Sequence, residues 1–272
     1  MRTLDRLAAL RPRPPVIVVD NASTDRTVPV VQQRHPEVAV IAADRNLGAA
    51  ARNLGVARAR TPYVAFSDDD SWWAQAALPH AESLLQSCDR LGLIAAHTLV
   101  GAEQRPDPAT RLMAESPLGR SAGLPGPLVL GFLACSAIVR RAAFQAAGGF
   151  SRLLFFGGEE RLLAWDLAAG GWALCYVPDV VAHHVPSPRR PPGRQRRHLE
   201  QRNALLAAWM RRPPRVALTA TASAVLAGLR DTERRGALTA AINRLPAALR
   251  QRRRLPPDVE HQVALLEREH ER

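Results

Sequence analysis

Two rhythms of apolar positions alternate along the first half of the chain. Compact apolar runs, rich in β-branched residues, occupy residues 16–19, 38–42, 63–66 and 91–96, and most of them stop at polar or charged residues. That is the signature of strands buried on both faces. Between them, residues 25–34, 49–59 and 78–88 carry helical spacing. The first of these helices is opened by Ser23, Thr24 and Asp25, residue types that cap helix N-termini. The alternation predicts an α/β layer fold with a mostly parallel sheet. Ligands of such sheets bind beyond the carboxyl ends of the strands. Asp20 and the triplet Asp68-Asp69-Asp70 fall at two such ends.

The second half reads differently. Residues 101–127, rich in proline, glycine and polar positions, predict a long loop. A strand is expected over 128–139, then a helix over 142–147 closed by Gly148 and Gly149. Another helix covers 159–169, stopped by Gly170 and Gly171, and short strands at 172–177 and 180–182 lead to His183-His184. A proline-arginine linker at 186–193 precedes four helices over 198–210, 216–230, 237–250 and 259–269. The longest apolar stretch, 216–229, is interrupted by Thr219, Thr221 and Ser223, and falls short of the ~20 residues a membrane span needs. No hydrophobic leader segment is visible at the N-terminus.

Composition sharpens this in two places. All 37 cations are arginine, and 17 of them lie between Arg189 and Arg254 against the three acids Glu200, Asp231 and Glu233. The chain is therefore a near-neutral body with a strongly basic C-terminal third, able to meet phosphates of lipid or nucleotide or simply to form a solvated basic face. Nucleic acid is disfavoured: no aromatic residue interleaves with the arginine clusters at 189–197 and 250–254, and no nucleic-acid-binding motif appears. Cys88, Cys135 and Cys175 lack metal or redox spacing and sit in apolar surroundings, as buried thiols of a reducing compartment do.

The candidate chemistry is acidic. Three adjacent carboxylates after a buried strand repel one another unless a cation neutralises them. A hard divalent ion shared with substrate phosphates suits such a cluster, an acidic helix-capping loop being the plainer reading. His183-His184, after another strand, can add a metal ligand from far along the chain or be structural. Glu159-Glu160 follows a Phe-Phe-Gly-Gly turn at a helix start. There the helix dipole favours carboxylates, and a general base is the functional alternative.

These residues together resemble family 2 glycosyltransferases. The resemblance rests on Val16 to Asp25, on Asn46-Leu47-Gly48 through Arg52-Asn53-Leu54-Gly55, and on Phe66 to Asp70. It continues through Cys135 to Phe144, Gly148-Gly149-Phe150, Gly158-Glu159-Glu160, Tyr176 to Asp179, His183-His184 and Arg202-Asn203. It spans roughly residues 14–212, so 1–212 is expected to form the transferase domain and 213–272 a basic helical extension. The resemblance implies a GT-A fold, a nucleotide-diphosphate sugar donor and an inverting displacement. It implies donor binding by Asp20, Asn21, Ser23, Asn46, Gly48, Arg52, Asn53, Asp68 and Asp69. It implies Mg²⁺ or Mn²⁺ on Asp70 with His183 or His184, and Glu160 or its neighbour Glu159 as base. The acceptor is then a glycan, a lipid-linked or a small molecule, in cell-envelope or secondary-metabolite glycosylation. The arginine-rich 189–254 segment would touch an anionic membrane surface, placing the protein in the cytoplasm at the inner face of the plasma membrane.

Two departures from the family pattern stand out. The family opens with an apolar strand ahead of the helix that here begins near Leu4, so the chain is expected to be N-terminally short, its start set downstream of the true one. The alternative is an inactive GT-A-fold remnant serving as a binding or scaffold protein. Leu162 stands where the family often has another acid, which leaves both glutamates open as the base.

Overall fold

The computed structural model describes residues 1–187 and 193–270. Helix α1 (Arg2–Ala8) is followed by β1 (Ile17–Asp20), α2 (Thr27–Arg34) and β2 (Ala39–Ala42). A 3-10 turn, Gly48–Ala51, runs into α3 (Arg52–Arg58), then come β3 (Tyr63–Ala65), β4 (Ser71–Trp73), α4 (Ala77–Ser87) and β5 (Leu91–Val100). The region expected as an open loop contains β6 (Arg105–Pro106) and α5 (Pro108–Ala114), the latter capped by the Asp107 side chain on Ala109 N–H. Next are β7 (Ala137–Arg140), α6 (Arg141–Ala147), α7 (Glu159–Ala169) and β8 (Ala173–His184). Helices α8 (Gly193–Arg211), α9 (Pro214–Arg230), α10 (Thr232–Arg250) and α11 (Pro257–His270) complete the chain. Residues 188–192 of the expected proline-arginine linker lie outside the described residues.

The sheet is mixed, which corrects the expectation of a mostly parallel one. Strands β1 and β2 form a parallel pair of their own, and the larger sheet runs β3-β7-β5-β8-β4 with β6 on β5. Only β5–β8 is parallel in that sheet; β3–β7, β5–β7, β5–β6 and β4–β8 are antiparallel. The apolar runs misled because an apolar strand reports burial on both faces and not direction. Here both faces are covered: Leu93 and Ala95 of β5 join Phe144, Phe150, Leu163 and Leu167 on one side, while Ile94 and Ala96 join Trp73, Ala81 and Leu85 on the other.

Two boundary expectations also change. The strand expected over 128–139 is confined to Ala137–Arg140. The two short strands expected around 172–182 are one, β8, whose register against β5 shifts between Ala96 and His97. Pro178, at that irregularity, has no N–H to donate to a ladder. A third core lies between α7 and the C-terminal helices, where Leu162 and Trp165 meet Leu206, Met210, Val259 and Val263.

Candidate active site

The acidic triplet is split among three environments, which removes much of its self-repulsion. Ser71, buried at the start of β4, accepts the Asp68 N–H at 2.7 Å and donates its hydroxyl to the Cys135 carbonyl at 3.2 Å. The turn is thereby fixed to the centre of the fold. The Asp68 carboxylate pairs with Arg52, whose guanidinium lies 5.6 Å from the Phe150 ring centre. Asp69 is exposed, its carbonyl held by the Thr3 hydroxyl of α1 at 2.7 Å. Asp70 Oδ1 lies 3.3 Å from His184 Nε2.

Strand pairing decides which histidine joins Asp70. β4 runs antiparallel to β8 with Ser71 opposite His184 and Trp72 opposite His183, and the two histidines leave opposite faces of the strand. Val185 N–H donates to the Asp70 carbonyl at 2.9 Å and closes this corner. His183 instead stacks on Trp72 at 5.7 Å and bonds Gln104 through Nδ1, and burial, then Arg6, lowers its pKa. Nothing in the sequence pattern singles out Gln104.

Around the ends of β1 and β2, between them and the Asp68–Asp70 turn, polar side chains shape the turns that border the candidate cleft. Asp20, buried at the end of β1, accepts the N–H of exposed Ser23 at 3.1 Å. Asn21 clamps the following turn from both sides: its Oδ1 accepts Leu47 N–H at 2.7 Å and its Nδ2 donates to the Gly48 carbonyl at 3.1 Å. Asn46 Oδ1 accepts Gly48 N–H at 2.8 Å. Gly48 has φ +61°, and a Cβ there would collide with the Phe155 carbonyl, which accepts Ala49 N–H at 2.7 Å. Asn53 uses its amide on Phe150, donating to its carbonyl and accepting its N–H, both at 2.9 Å. Asn53 thus holds the glycine turn after α6, whereas Arg52, one residue earlier, turns to Asp68.

The loop 154–158 is gripped from two directions. Phe155, Gly157 and Gly158 all have positive φ, an arrangement that needs external support at the non-glycine position. Ala49 supplies one support, and α8 supplies the other. Asn203 Nδ2 reaches the carbonyls of Leu154, Phe156 and Gly157 at 2.9, 2.9 and 2.6 Å, and Arg202 donates to the Leu154 carbonyl at 2.6 Å and to Asn203 Oδ1 at 2.9 Å. Both are buried. Sequence reasoning finds this pair as a motif without a role; two adjacent polar residues amid the apolar positions of one helix are the available signal.

That loop delivers the two glutamates to the first turn of α7, where they diverge. Glu159 is 2% exposed, and its Oε2 has no hydrogen-bond partner. Burial, reinforced by the charge of Glu160, pushes its pKa up to about 7. Glu160 is half-buried and feels the charges of Arg52, Asp68 and Arg196, Arg52 acting on Glu159 as well; burial raises its pKa too. Cys135, beside Asp68 and Asp70, is pushed up to about 12 by burial first and those carboxylates second, which leaves an inert thiol.

The Asp70–His184 pair offers one hard oxygen and one imidazole nitrogen. That donor set fits an Mg²⁺- or Mn²⁺-class ion that takes its other ligands from phosphate and water. No group of three or more His, Cys, Asp or Glu side chains that could enclose an ion exists among the described residues, so such an ion would be shared with a ligand.

A family model described as Glycosyl transferase family 2 matches residues 1–148. The chain belongs to glycosyltransferase family 2. This family 2 chain is 31% identical over 183 residues to the pre-mycofactocin glycosyltransferase of Mycobacterium tuberculosis, strains CDC 1551 / Oshkosh and ATCC 25618 / H37Rv. That match covers 62% of the chain and 37% of the relative, so the chain spans little more than a third of the curated relatives' length. Among solved structures, the mannosyltransferase PcManGT from Pyrobaculum calidifontis, in complex with GDP-Man and Mn²⁺, superposes with a TM-score of 0.58 at 22% identity, covering 98% of this chain and 70% of that one. S. aureus TarS 1-349 with UDP-GlcNAc gives 0.55 at 17%, covering 76% and 61%. GalNAc-T7 with UDP, GalNAc and Mn²⁺ gives 0.57 at 13%, covering 77% and 44%. These likenesses establish the shared fold, and the match to PcManGT takes in the C-terminal helices.

Proposed function

We propose that this chain transfers a sugar from a nucleotide-diphosphate donor to an acceptor hydroxyl, with inversion at the anomeric carbon. The observation that carries the reading is the Arg52–Asp68 and Asp70–His184 pairs, held two residues apart on one turn, with Glu160 within electrostatic reach of Arg52 and Asp68. Asp20, Asn21, Ser23, Asn46 and Gly48 build the wall for base and ribose; Asn53, which holds the turn at Phe150, and exposed Asp69 complete the donor set. Asp70 and His184 are the residues that would hold Mg²⁺ or Mn²⁺, which supplies positive charge to the diphosphate; His183 is turned to Trp72 and Gln104. Glu160 accepts the proton of the acceptor hydroxyl as its oxygen bonds the anomeric carbon and the bond to the diphosphate breaks. Its raised pKa suits a proton acceptor. Glu159 has its unpartnered oxygen in the protein interior, away from the acceptor hydroxyl.

The relatives' GDP-Man, UDP-GlcNAc and UDP complexes make guanosine and uridine diphosphates the first donors to test. The acceptor is a glycan, a lipid-linked or a small molecule of envelope or secondary-metabolite glycosylation. Thermal shift with UDP, GDP, dTDP and CDP, with and without Mn²⁺, is the direct test. One nucleotide should raise the midpoint only with metal, and the shift should vanish in Asp70→Ala; no shift with any nucleotide overturns the reading.

Peripheral contact with an anionic membrane at the cytoplasmic face is supported by α9, whose outer face exposes Leu218, Leu226 and Leu229 at 57, 64 and 69% beside Arg215 and Arg230. No helix among the described residues is long and apolar enough to cross a membrane. Co-sedimentation with phosphatidylglycerol vesicles at low salt, lost in Leu226→Glu/Leu229→Glu, is the expected outcome; no sedimentation of the wild type overturns it.

A further inference from the structure

A concavity lies between α7 and the C-terminal helices. It is an open groove of about 830 Å³, within the range of small-molecule sites. Its long walls are apolar and mostly small: Leu205 and Ala208 of α8, Ala220, Ala224 and Ala227 of α9, and Leu238 of α10. At ~100° per residue, these α9 positions share one side of the helix while Leu218, Val225 and Leu229 point the opposite way. The leucines of α9 are thus kept off the groove, which Val216 and smaller side chains line and leave open.

Charge in the groove is unevenly compensated. Arg212 is buried and fully engaged, by Glu260 at 2.7 Å and by Glu267 at 2.6 Å. Glu267 is also the only acid lining the groove among the described residues, so it is committed. Arg234 has Asp231 at 3.5 Å. Arg161 has no carboxylate within ion-pair distance among the described residues; its guanidinium lies 5.7 Å from the Trp165 ring centre. Water reaches it along the open side; desolvation by the surrounding protein lowers its pKa, outweighing the more distant charges of Glu267, Glu200 and Glu160. A cation crowded this way is stabilised by an anion delivered into the groove. Arg215, exposed at the rim, adds a second cation of the same sign.

The position relative to the chemistry is informative. Arg161 directly follows Glu160 on the first turn of α7. Consecutive helix positions diverge by ~100°, so Glu160 faces Arg52 and Asp68 while Arg161 faces α8 and α9. The groove therefore starts one residue from the proposed base. We infer that this groove seats an amphiphilic acceptor, its anionic group on Arg161 and its apolar body along the alanine and leucine walls of α8, α9 and α10. The assignment to the acceptor rests on the glycosyltransferase reading of the Glu160 cleft; the assignment of ligand chemistry rests on the groove alone.

Decyl phosphate, used below its micelle-forming concentration, is the probe, with decanol and inorganic phosphate as its two halves. Calorimetry should show decyl phosphate binding at least tenfold more tightly than decanol, and inorganic phosphate not binding. Arg161→Gln should weaken it at least tenfold, and Ala224→Trp, which places an indole in the groove and keeps the cation, should block it. Neither variant should alter the metal-dependent nucleotide shift. The inference is overturned if decyl phosphate does not bind, or binds both variants like the wild type. It is equally overturned if light scattering shows a dimer that Ala224→Trp dissociates, because a second copy then fills the groove. Binding in the groove with no nucleotide shift in any condition overturns the transferase reading and the acceptor role with it, leaving an anion-amphiphile site.

Discussion

Glu159 and Glu160 are chemically identical neighbours made different by one helical step. Glu160 opens toward Arg52 and Asp68, so Glu160→Gln should lower kcat by roughly 10²–10⁴-fold while the nucleotide-dependent thermal shift persists. A variant that keeps wild-type turnover moves the base elsewhere. The raised pKa of Glu160 also makes turnover fall on the acid side, where the carboxylate takes up a proton before the acceptor can give one. Glu159 makes a separate prediction about stability. Its folded pKa of about 7 lies above the ordinary 4.5, so between those values the native state holds the proton that the unfolded chain releases. Stability contributed by this group is therefore complete below about 4.5 and is lost as pH rises toward 7. Glu159→Gln, which cannot ionise, should be more stable than wild type at pH 8 by on the order of 1–3 kcal/mol, with the gain vanishing at pH 4. Urea unfolding of both proteins at the two pH values measures it; an equal difference at both would mean the carboxyl is not the cause.

At the scale of elements, the cleft depends on a loop that cannot hold itself. Three carbonyls of 154–157 converge on the single Asn203 amide, and Asn203→Ala would leave buried acceptors without a donor. The expected cost is about 1–3 kcal/mol of stability. A fall in kcat larger than any change in nucleotide affinity should accompany it, because the loop delivers Glu160 and the donor wall is built from other turns. Loss of nucleotide binding in step with kcat would show that the loop carries the donor instead. The elements themselves are legible in the sequence to different degrees. Long helices with apolar faces, α7 to α11, come through within a few residues, and the turn residues around Asp20, Gly48 and Asp68 mark the strand ends. Strand direction does not come through, because β5 and β7 are apolar on both faces whether their neighbours run parallel or antiparallel. The histidine choice is equally hidden: it follows from the β4–β8 register, a pairing between residues more than a hundred apart in sequence. The doubled amide bonds of Asn53 to Phe150, likewise, join positions no local pattern connects.

At the scale of the molecule, the basic tail is tied into the core that supports the cleft. The sequence suggests a transferase domain ending near 212 and a separate helical extension, and the packing makes a sharper claim possible. Leu162 and Trp165 of α7, the helix that begins with the glutamates, share one apolar cluster with Ala241, Ala248, Leu255, Val259 and Val263 from beyond that boundary. Arg211 pairs with Asp166 at 2.5 and 2.9 Å and donates to the Gln251 carbonyl at 2.8 Å, while Arg212 takes its carboxylates, Glu260 and Glu267, from α11. Cutting after residue 212 would strip those side chains from the cluster and leave Arg212 without either carboxylate. Buried charges that lose their partners cost about 3–5 kcal/mol, and each large aliphatic side chain returned to water adds roughly 1.5–3 kcal/mol. Together these approach the whole stability of a typical domain. The full chain should therefore unfold in one transition, with helix content and tryptophan emission changing together, and residues 1–212 alone should show no cooperative transition at the temperature where the full chain is folded. If the shortened chain instead melts at the full chain's midpoint and still responds to nucleotide with metal, the tail is an appendage. The arginine-rich helices would then have to be explained by their outer surface alone.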